Sequence, residues 1–265
     1  MGNARSGRLP GTGLAHRIWS RRAIAGLVGG VGLLLGLSLP APAQKGLDGF
    51  AQAGLQDLTA SVAVLSKNDT ELQKIGKGYV DAYRLNKQEL WAKEPGLFLF
   101  QGKQGVLTIR YITNGGRKLM EVAGLRIRHV DDIAKEPGKG DSLADLGIIT
   151  PAWVQRITAE WLRAESRNGK QLQVFEYWFA QDPRSKHTIW VDPATKTMVD
   201  HIAHHRNPKR PGFKKRFVFS EVKQYGGVSA PTRVDLYNGE NKLAASMRYD
   251  AIKINTGLPG KMFEF

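Results

Sequence analysis

The chain of 265 residues is strongly basic, with 39 Lys and Arg against 24 Asp and Glu, a formal net charge of +15 and no cysteine. The lack of cysteine excludes a disulfide framework, an acylated lipobox cysteine and a cysteine nucleophile. The sequence also contains neither a G-x-S-x-G nor an H-E-x-x-H pattern, which excludes two common hydrolase motifs. We therefore expect no enzyme activity, no cofactor and no bound metal.

Residues 1–43 have the three parts of a cleavable export signal. A basic segment with five arginines and no acid precedes an uncharged run from Ala23 to Leu39, and Ala41-Pro42-Ala43 follows. This order is typical of a secretory signal with an A-x-A site. The pair Arg21-Arg22 also fits twin-arginine export, so Sec and Tat both stay open. The run of 17 residues is short for a membrane span of about 20 residues, and we expect cleavage after Ala43.

The mature chain, residues 44–265, keeps most of the positive charge after the five arginines are removed. A basic exported protein can meet anionic lipid headgroups or acidic envelope proteins. We expect a periplasmic monomer with such partners and without nucleic acid, which is scarce outside the cytoplasm. Its length suffices for one domain with an ordinary hydrophobic core.

The first mature segment carries apolar residues at every third or fourth position. The series is Leu47, Phe50, Ala51, Leu55, Leu58, Val62 and Leu65, and it predicts an amphipathic helix over most of residues 47–66. The pair Asn68-Asp69 ends it, and a short helical turn is expected over residues 70–76.

A strand pattern begins at Tyr79 and resumes after an interruption. The predicted strands are Val80–Ala92, Leu97–Gln101, Val106–Thr113, Lys118–Val122, Leu125–Val130, Gln171–Ala180, His187–Asp192, Met198–His205, Lys214–Gln224, Thr232–Tyr237 and Leu243–Ile254. Asn114-Gly115-Gly116, Gly226-Gly227 and Asn238-Gly239 are turn signals between neighbouring strands. Short strands at this spacing predict an antiparallel meander.

The interruption lies at residues 134–165. Ala134–Asp145 reads as a loop rich in Gly, Pro and Asp, and Thr150-Pro151 is typical of a helix start. A helix is predicted over Ala152–Ala164, with Val154, Ile157 and Trp161 on one face. The whole order predicts a mainly β fold, a strongly curved antiparallel sheet that forms an incomplete β-barrel covered by helices.

Four segments carry a resemblance to a known family. They are a strand ending in Trp190-Val191-Asp192-Pro193, the segment Ala230–Val234, the final strand Tyr249–Asn255, and Lys93-Glu94-Pro95 before Leu97–Phe100. In this order, and behind an export signal, they resemble the outer-membrane lipoprotein-sorting proteins around the periplasmic carrier LolA, over residues 47–265. The resemblance implies a half-open β-barrel with a concave apolar face under helices.

The same resemblance implies reversible binding of lipid or lipoprotein acyl chains, in lipoprotein sorting or lipid transport. Hiding an acyl chain from water is favourable by about 25 cal/mol per Å² of apolar surface, so an apolar concavity suffices and no reaction is needed. The alternative, from another class, is a non-catalytic envelope-binding or structural module with a packed core and a basic surface.

Large apolar side chains of the strands are the candidates for lining a ligand cavity. They are Trp91, Phe98, Phe100, Phe175, Tyr177, Phe179, Trp190, Met198, Phe217, Phe219, Met247 and Tyr249. Each one taken singly also fits an ordinary core position. Val154, Ile157 and Trp161 are the candidates for a lid, either on the helix Ala152–Ala164 or beside the helix over residues 47–66.

Two polar clusters complete the candidates. Lys209, Arg210, Lys214, Lys215 and Arg216 form an expected basic surface, read either as a solvated turn or as a contact for anionic headgroups. Asp200, His201, His204 and His205 could suggest a metal site. Because no second cluster supports them, we interpret them as solvated residues at a strand end.

Overall fold

The computed structural model describes residues 46–207, 209 and 212–265. The expected export signal, its cleavage site after Ala43 and the basic-loop residue Arg210 lie outside the described residues. The described part belongs to one compact unit, Gln44–Phe265. No helix within the described ranges is long and apolar enough to cross a bilayer.

Thirteen strands make up most of the described chain. They are β1 (Asp57–Lys67), β2 (Asn86–Lys93), β3 (Leu97–Gln104), β4 (Leu107–Asn114), β5 (Arg117–Ala123), β6 (Ile127–Asp132), β7 (Ile157–Arg167), β8 (Lys170–Phe179), β9 (Asp182–Asp192), β10 (Thr197–His204), β11 (Phe213–Tyr225), β12 (Val228–Asn238) and β13 (Leu243–Ile254). The three turn signals found in the sequence connect β4 to β5, β11 to β12 and β12 to β13, as predicted.

All the strands belong to one sheet in the order β6-β5-β4-β3-β2-β1-β13-β12-β11-β10-β9-β8-β7. Every neighbouring pair is antiparallel, for example β1 with β13 and β7 with β8. The two edge strands, β6 and β7, do not pair with each other, so the sheet stays open. The expected fold class, an incomplete barrel of antiparallel strands with few helices, is confirmed.

The helices are short and lie between strands, before β1 or after β13. They are α1 (Asp69–Ile75), α2 (Lys77–Tyr83), α3 (Pro151–Val154), and the single 3-10 turns Leu47–Phe50, Pro137–Lys139, Leu143–Leu146 and Gly260–Phe263. The α1 helix begins where the side chain of Asn68 accepts hydrogen bonds from the backbone N–H groups of Thr70 and Glu71, at 3.1 and 3.2 Å. The helical turn expected at residues 70–76 is therefore confirmed.

The helix predicted over residues 47–66 is wrong. Only Leu47–Phe50 is helical, as one 3-10 turn, and β1 begins at Asp57. In β1 the buried side chains of Leu58, Ala60 and Val62 alternate, which is the period of a strand. The pairing of β1 with both β13 and β2 favours the strand over the helix, because a central strand gains backbone hydrogen bonds on two sides.

The helix predicted over Ala152–Ala164 is also wrong. The α3 helix is a single turn that ends at Val154, and Ile157–Arg167 forms the edge strand β7, paired along its length with β8. Residues 157, 159 and 161 pack against the core in alternation, as in a strand. The apolar residues of this segment fit a helical spacing as well, so the spacing alone did not distinguish the two. The strand predicted over Val80–Ala92 divides in turn into the end of α2 and the strand β2.

The concave face of the sheet carries the main core. It joins the two halves of the sheet, for example through Phe98 on β3 and Phe175 on β8, and it includes residues of α1, α2 and the connection that runs from β6 to β7. Two smaller clusters lie on the opposite face, one around Leu119 and Phe263 and one around Val174 and Trp190. The C-terminal segment thus covers part of the convex face.

Candidate functional site

The concave face brings together most of the large apolar side chains singled out in the sequence. Those that belong to the main core or pack directly against it are Phe98, Phe100, Phe175, Tyr177, Phe179, Met198, Phe217, Phe219, Met247 and Tyr249. They lie on β3, β8, β10, β11 and β13, which belong to both halves of the sheet. Their role as a ligand-binding surface stays a prediction.

The other two expected cavity residues lie on the opposite face. Trp91 packs against the cluster around Leu119 and Phe263, and Trp190 belongs to the cluster around Val174. Adjacent residues of a strand point to opposite faces, and Trp91 and Trp190 each have a neighbour in the main core. The structure therefore does not place Trp91 and Trp190 with the other ten.

Aromatic side chains contact one another through the middle of the concave core. The rings of Trp153 and Tyr177 lie 5.0 Å apart, edge to face, and the rings of Phe50 and Phe175 lie 5.8 Å apart. Phe175 is only 1% exposed. The centre of the concavity is thus filled by side chains in this conformation.

An open cleft of about 660 Å³ lies beside this packed core. Its walls are the turns between β2 and β3, between β4 and β5 and between β8 and β9, together with residues that flank β6 and β7. It therefore lies at one end of the sheet, between the residues that follow β6 and the start of β7. Ligand sites in proteins commonly measure about 300–1,000 Å³, so the cleft has room for a small amphiphile.

The lining of the cleft is mostly apolar. Its residues are Pro95, Gly96, Gly115, Gly116, Ile133, Ala134, Pro137, Gln155, Arg156, Ile157, Thr158, Phe179, Ala180 and Gln181. Phe179 belongs to the main core and Ile157 packs against it, so the floor of the cleft is continuous with the concave apolar face. An acyl chain that entered here would meet these apolar side chains beside the polar groups of Gln155, Thr158 and Gln181.

One cationic side chain stands at the cleft. Of the described residues that line it, Arg156 alone is charged. Gly96 has φ +64°, and a Cβ at that position would lie 3.0 Å from Nη1 of Arg156, so the glycine leaves room for the guanidinium. No described carboxylate lies within 4.0 Å of this guanidinium, which leaves the charge available to an anionic ligand.

The three expected lid residues share a location but not a helix. Val154 is the last residue of α3, whereas Ile157 and Trp161 are on β7, and all three are half-buried against the main core. The indole Nε1 of Trp161 donates a hydrogen bond to Oε1 of Gln173 at 2.8 Å. The helices that cover the concave face are instead α1 and α2, which contribute buried apolar residues to the same core.

The concave side also holds charged groups that the sequence reading did not place there. The ammonium of Lys215 donates a hydrogen bond to the hydroxyl of Tyr79 on α2. Burial acts to lower the pKa of Lys215, but Tyr79 and the carboxylate of Asp145 outweigh it and raise the pKa above its usual range. Burial raises the pKa of Asp145, and the neighbouring carboxylate of Asp141 acts in the same direction.

The expected basic surface is divided by this arrangement. Lys209 and Lys214 are exposed, but Lys215 points to the concave side, so the surface assignment is wrong for Lys215. Arg216 binds the buried carboxylate of Asp200, with Nη2 to Oδ2 at 2.6 Å. A single solvated patch is therefore not present in the described part of this loop and strand.

The expectation of a solvated cluster at the end of β10 is wrong for Asp200 and His201, which are both buried. His201 is 5% exposed, and its Nε2 lies 2.9 Å from Nδ1 of His187 and 3.1 Å from the hydroxyl of Tyr177. His204 is half-buried, with Nε2 2.8 Å from Oγ1 of Thr188. Within the described ranges, no group of three or more His, Cys, Asp or Glu is placed to hold a metal ion.

Strand alternation could have located one of the missed groups. Lys215, Phe217 and Phe219 occupy every second position of β11, so the lysine shares its face with two core aromatics. Arg156 and Asp145 carry no comparable signal, because they lie in the long connection between β6 and β7. Their positions depend on how that connection crosses the open side of the sheet.

Three solved structures share this fold. An outer membrane lipoprotein-sorting protein domain from Vibrio parahaemolyticus is 14% identical, with 82% of this chain and 93% of that chain covered and a TM-score of 0.58. A DUF1329 family protein from Desulfovibrio piger is 12% identical, with 82% and 92% covered and a TM-score of 0.58. A LolA superfamily protein from Nitrosomonas europaea is 13% identical, with 83% and 94% covered and a TM-score of 0.53.

These similarities confirm the expected resemblance at the level of the fold. No family model matches the sequence, and no curated protein matches it. The chain has the open, helix-covered antiparallel sheet of LolA-like and lipoprotein-sorting proteins. Because the sequence identities are only 12–14%, the similarity shows the fold and nothing further.

Proposed function

We propose that this protein is a periplasmic carrier or binding protein for lipid or lipoprotein acyl chains, acting in outer-membrane lipoprotein sorting or lipid transport. The observation that carries the proposal is the cleft between the end of β6 and the start of β7, whose apolar floor is continuous with the concave core. The fold supports it, because the similar structures include an outer membrane lipoprotein-sorting domain and a LolA superfamily protein. The export signal expected at residues 1–43 supports the compartment.

Binding in this proposal needs no covalent chemistry. An acyl chain placed in the cleft loses contact with water, which is favourable by about 0.8 kcal/mol for each buried CH₂ group. Longer chains require more apolar surface than the cleft exposes. They would gain it where Ile157 and Phe179 lead into the concave core, if Trp153 of α3, whose ring packs on that of Tyr177, moves away.

A packed core favours the second candidate, an envelope-binding module without a lipid ligand. The aromatic side chains of the main core already contact one another, as the 5.0 Å separation of Trp153 on α3 and Tyr177 on β8 shows. A module of this kind would use its surface alone. The two candidates differ in whether the native protein takes up an amphiphile.

Native mass spectrometry of residues 44–265, after incubation with hexadecanoate or phospholipid, tests the proposal. We expect a stoichiometric adduct, and we expect Ala180→Trp to weaken it, because Ala180 is an exposed residue of the cleft wall that tryptophan would fill. The matched control is Ala164→Trp, an exposed alanine of β7 outside the cleft lining, which should bind like the unsubstituted protein. A mass that stays unchanged with both lipids would favour the envelope-binding module.

A further inference from the structure

The tips of two neighbouring hairpins form an exposed apolar and basic surface. The first tip is the turn from β3 to β4 and the second is the turn from β5 to β6. Thr108 pairs with Ala123 across β4 and β5, so the two tips lie side by side at one end of the sheet. We define the tip surface as Val106, Leu125 and Ile127 together with Lys103, Arg126 and Arg128.

The apolar members of the tip surface are unusually open to solvent. Val106 is 96% exposed, Leu125 48% and Ile127 52%. Single exposed apolar residues are common in soluble proteins, whereas adjacent ones at the ends of hairpins mark interaction sites. Three of the large apolar residues that the structure leaves exposed therefore lie at the same end of the sheet.

The charged members of the tip surface are all cationic. Lys103, Arg126 and Arg128 are exposed, and no described carboxylate lies within 4.0 Å of their nitrogen atoms. The segments 103–110 and 122–128 contain no Asp or Glu. The nearest acids are already engaged: Asp131, three residues after Arg128, lies 2.9 Å from Nε2 of His129, and Glu121, opposite Arg128 across β5 and β6, is paired with Arg110 at 3.3 Å.

We propose that the tip surface docks the protein onto an anionic phospholipid bilayer. Protruding apolar side chains match the apolar boundary of the acyl chains, and the cations without a described carboxylate partner match the anionic headgroups above it. Apolar tips insert at headgroup depth, and each nearby Lys or Arg is attracted to anionic lipid. A protein partner would have to supply both an apolar pocket and several acids within one small contact, whereas a bilayer offers both everywhere.

The tip surface is separate from the cleft. The cleft is lined by turns at the other ends of the same hairpins, including the turn from β4 to β5. A strand rises about 3.3 Å per residue, so strands of eight residues such as β4 keep the two ends roughly 25 Å apart. Membrane docking in this form therefore does not depend on whether the cleft binds an acyl chain.

Co-sedimentation of residues 44–265 with vesicles tests the inference. We expect binding to vesicles of phosphatidylcholine with phosphatidylglycerol, little binding to phosphatidylcholine alone, and a decrease as salt is added. Arg126→Ala should weaken binding about five-fold, and Val106→Asp about ten-fold or more. Because these side chains are exposed, both variants should melt at the temperature of the unsubstituted protein.

Two controls make the test specific. Leu243→Asp replaces another exposed leucine, 42% exposed and at the start of β13, and should leave binding unchanged. The double variant Lys209→Glu with Lys214→Glu changes two exposed basic residues outside the tip surface and should have at most the small effect of net charge. Absence of binding to the anionic vesicles, equal binding by Val106→Asp, or a greater loss in the Lys209 and Lys214 variant would each overturn the proposal.

Discussion

Lys215 on β11 and Tyr79 on α2 join the sheet to one of its covering helices. The lysine ammonium donates a hydrogen bond to the tyrosine hydroxyl and lies 5.1 Å from the centre of the tyrosine ring. The same ammonium lies 5.1 Å from the ring of Phe217, on the concave face. A charge-assisted hydrogen bond of this kind is stronger than a neutral one, so it positions α2 more firmly than apolar packing alone.

Removing the hydroxyl of Tyr79 is expected to loosen the covering helices. In Tyr79→Phe the Lys215 ammonium keeps its position but loses this acceptor, which should cost about 1–3 kcal/mol of unfolding free energy. Backbone amides of residues 69–83 should then exchange faster with deuterium. The control is Tyr225→Phe, because the Tyr225 hydroxyl makes no hydrogen bond with another described residue. Equal exchange in both variants would contradict a fastening role for Tyr79.

The carboxylate of Asp57 fastens the C-terminal segment to the start of β1. It accepts hydrogen bonds from the backbone N–H groups of Thr256, Gly257 and Leu258, at 2.7, 2.9 and 3.2 Å. Burial acts to raise the pKa of Asp57, but the hydrogen bonds from Thr256, Leu258 and Gly257 outweigh it and lower the pKa. The charged form is therefore the one that the folded state prefers.

Asp57→Asn is expected to destabilise the protein by about 2–3 kcal/mol, because a neutral amide accepts fewer of these bonds. Chemical denaturation at neutral pH measures the loss. Since the pKa of Asp57 is lower in the folded state, its contribution is present at neutral pH and disappears as the pH falls below the usual value of 3.8. At pH 2 the variant and the unsubstituted protein should therefore differ less. Asp250→Asn, at an exposed pair with Arg248, should have little effect.

Two buried histidines predict that acid weakens the fold. Burial lowers the pKa of His187 to about 3, and it holds the pKa of His201 well below its usual value. The unfolded chain therefore binds protons at these two histidines near pH 6.5, whereas the folded protein leaves both neutral at that pH. Above that pH these histidines do not reduce the free energy of unfolding. As the pH falls toward 3, each of them lowers it by about 1.4 kcal/mol per pH unit.

His201→Gln should reduce this decline, because glutamine does not titrate in that range. The measurement is the midpoint of thermal unfolding between pH 7 and pH 4, in both proteins. His129→Gln is the matched control, since His129 is exposed on β6 and should leave the slope unchanged. A slope that is the same in all three proteins would show that other groups cause the acid sensitivity.

Arg156 is expected to select anionic amphiphiles if the cleft binds acyl chains as proposed. An exposed ion pair contributes at most about 1 kcal/mol, so hexadecanoate should bind up to about five-fold more tightly than hexadecanol. Arg156→Ala should abolish this preference while hexadecanol binding stays the same, as competition titration would reveal. Arg248→Ala, on β13 and outside the cleft, is the control. A preference that persists in Arg156→Ala would assign the selection to other groups.

The turns and most strands could be read from the sequence because their signals are local. Gly115, Gly226 and Gly227, at φ +60°, +51° and +86°, adopt backbone conformations that few other residues adopt easily, and the flanking strands follow from alternation. Phe175, Tyr177 and Phe179 share a face for the same local reason, and all three lie in the core. These features do not depend on distant parts of the chain.

The strands β1 and β7 could not be recognised in this way. In both segments the apolar residues satisfy a helical and a strand spacing at once, so periodicity does not discriminate between them. Pairing decides: β1 lies between β13 and β2, and β7 pairs with β8. Once a partner strand is present, its backbone hydrogen bonds stabilise the extended form over an isolated short helix.

The sequence by itself determined a basic chain without cysteine, an expected export signal and an antiparallel sheet with its turns in place. Only the tertiary structure decided that the sheet opens between β6 and β7, that Lys215 faces α2 and that Arg156 stands at a cleft. The reason is that these relationships join residues far apart in the chain. Lys215 and Tyr79 are 136 positions apart, and no local pattern encodes which distant groups will meet.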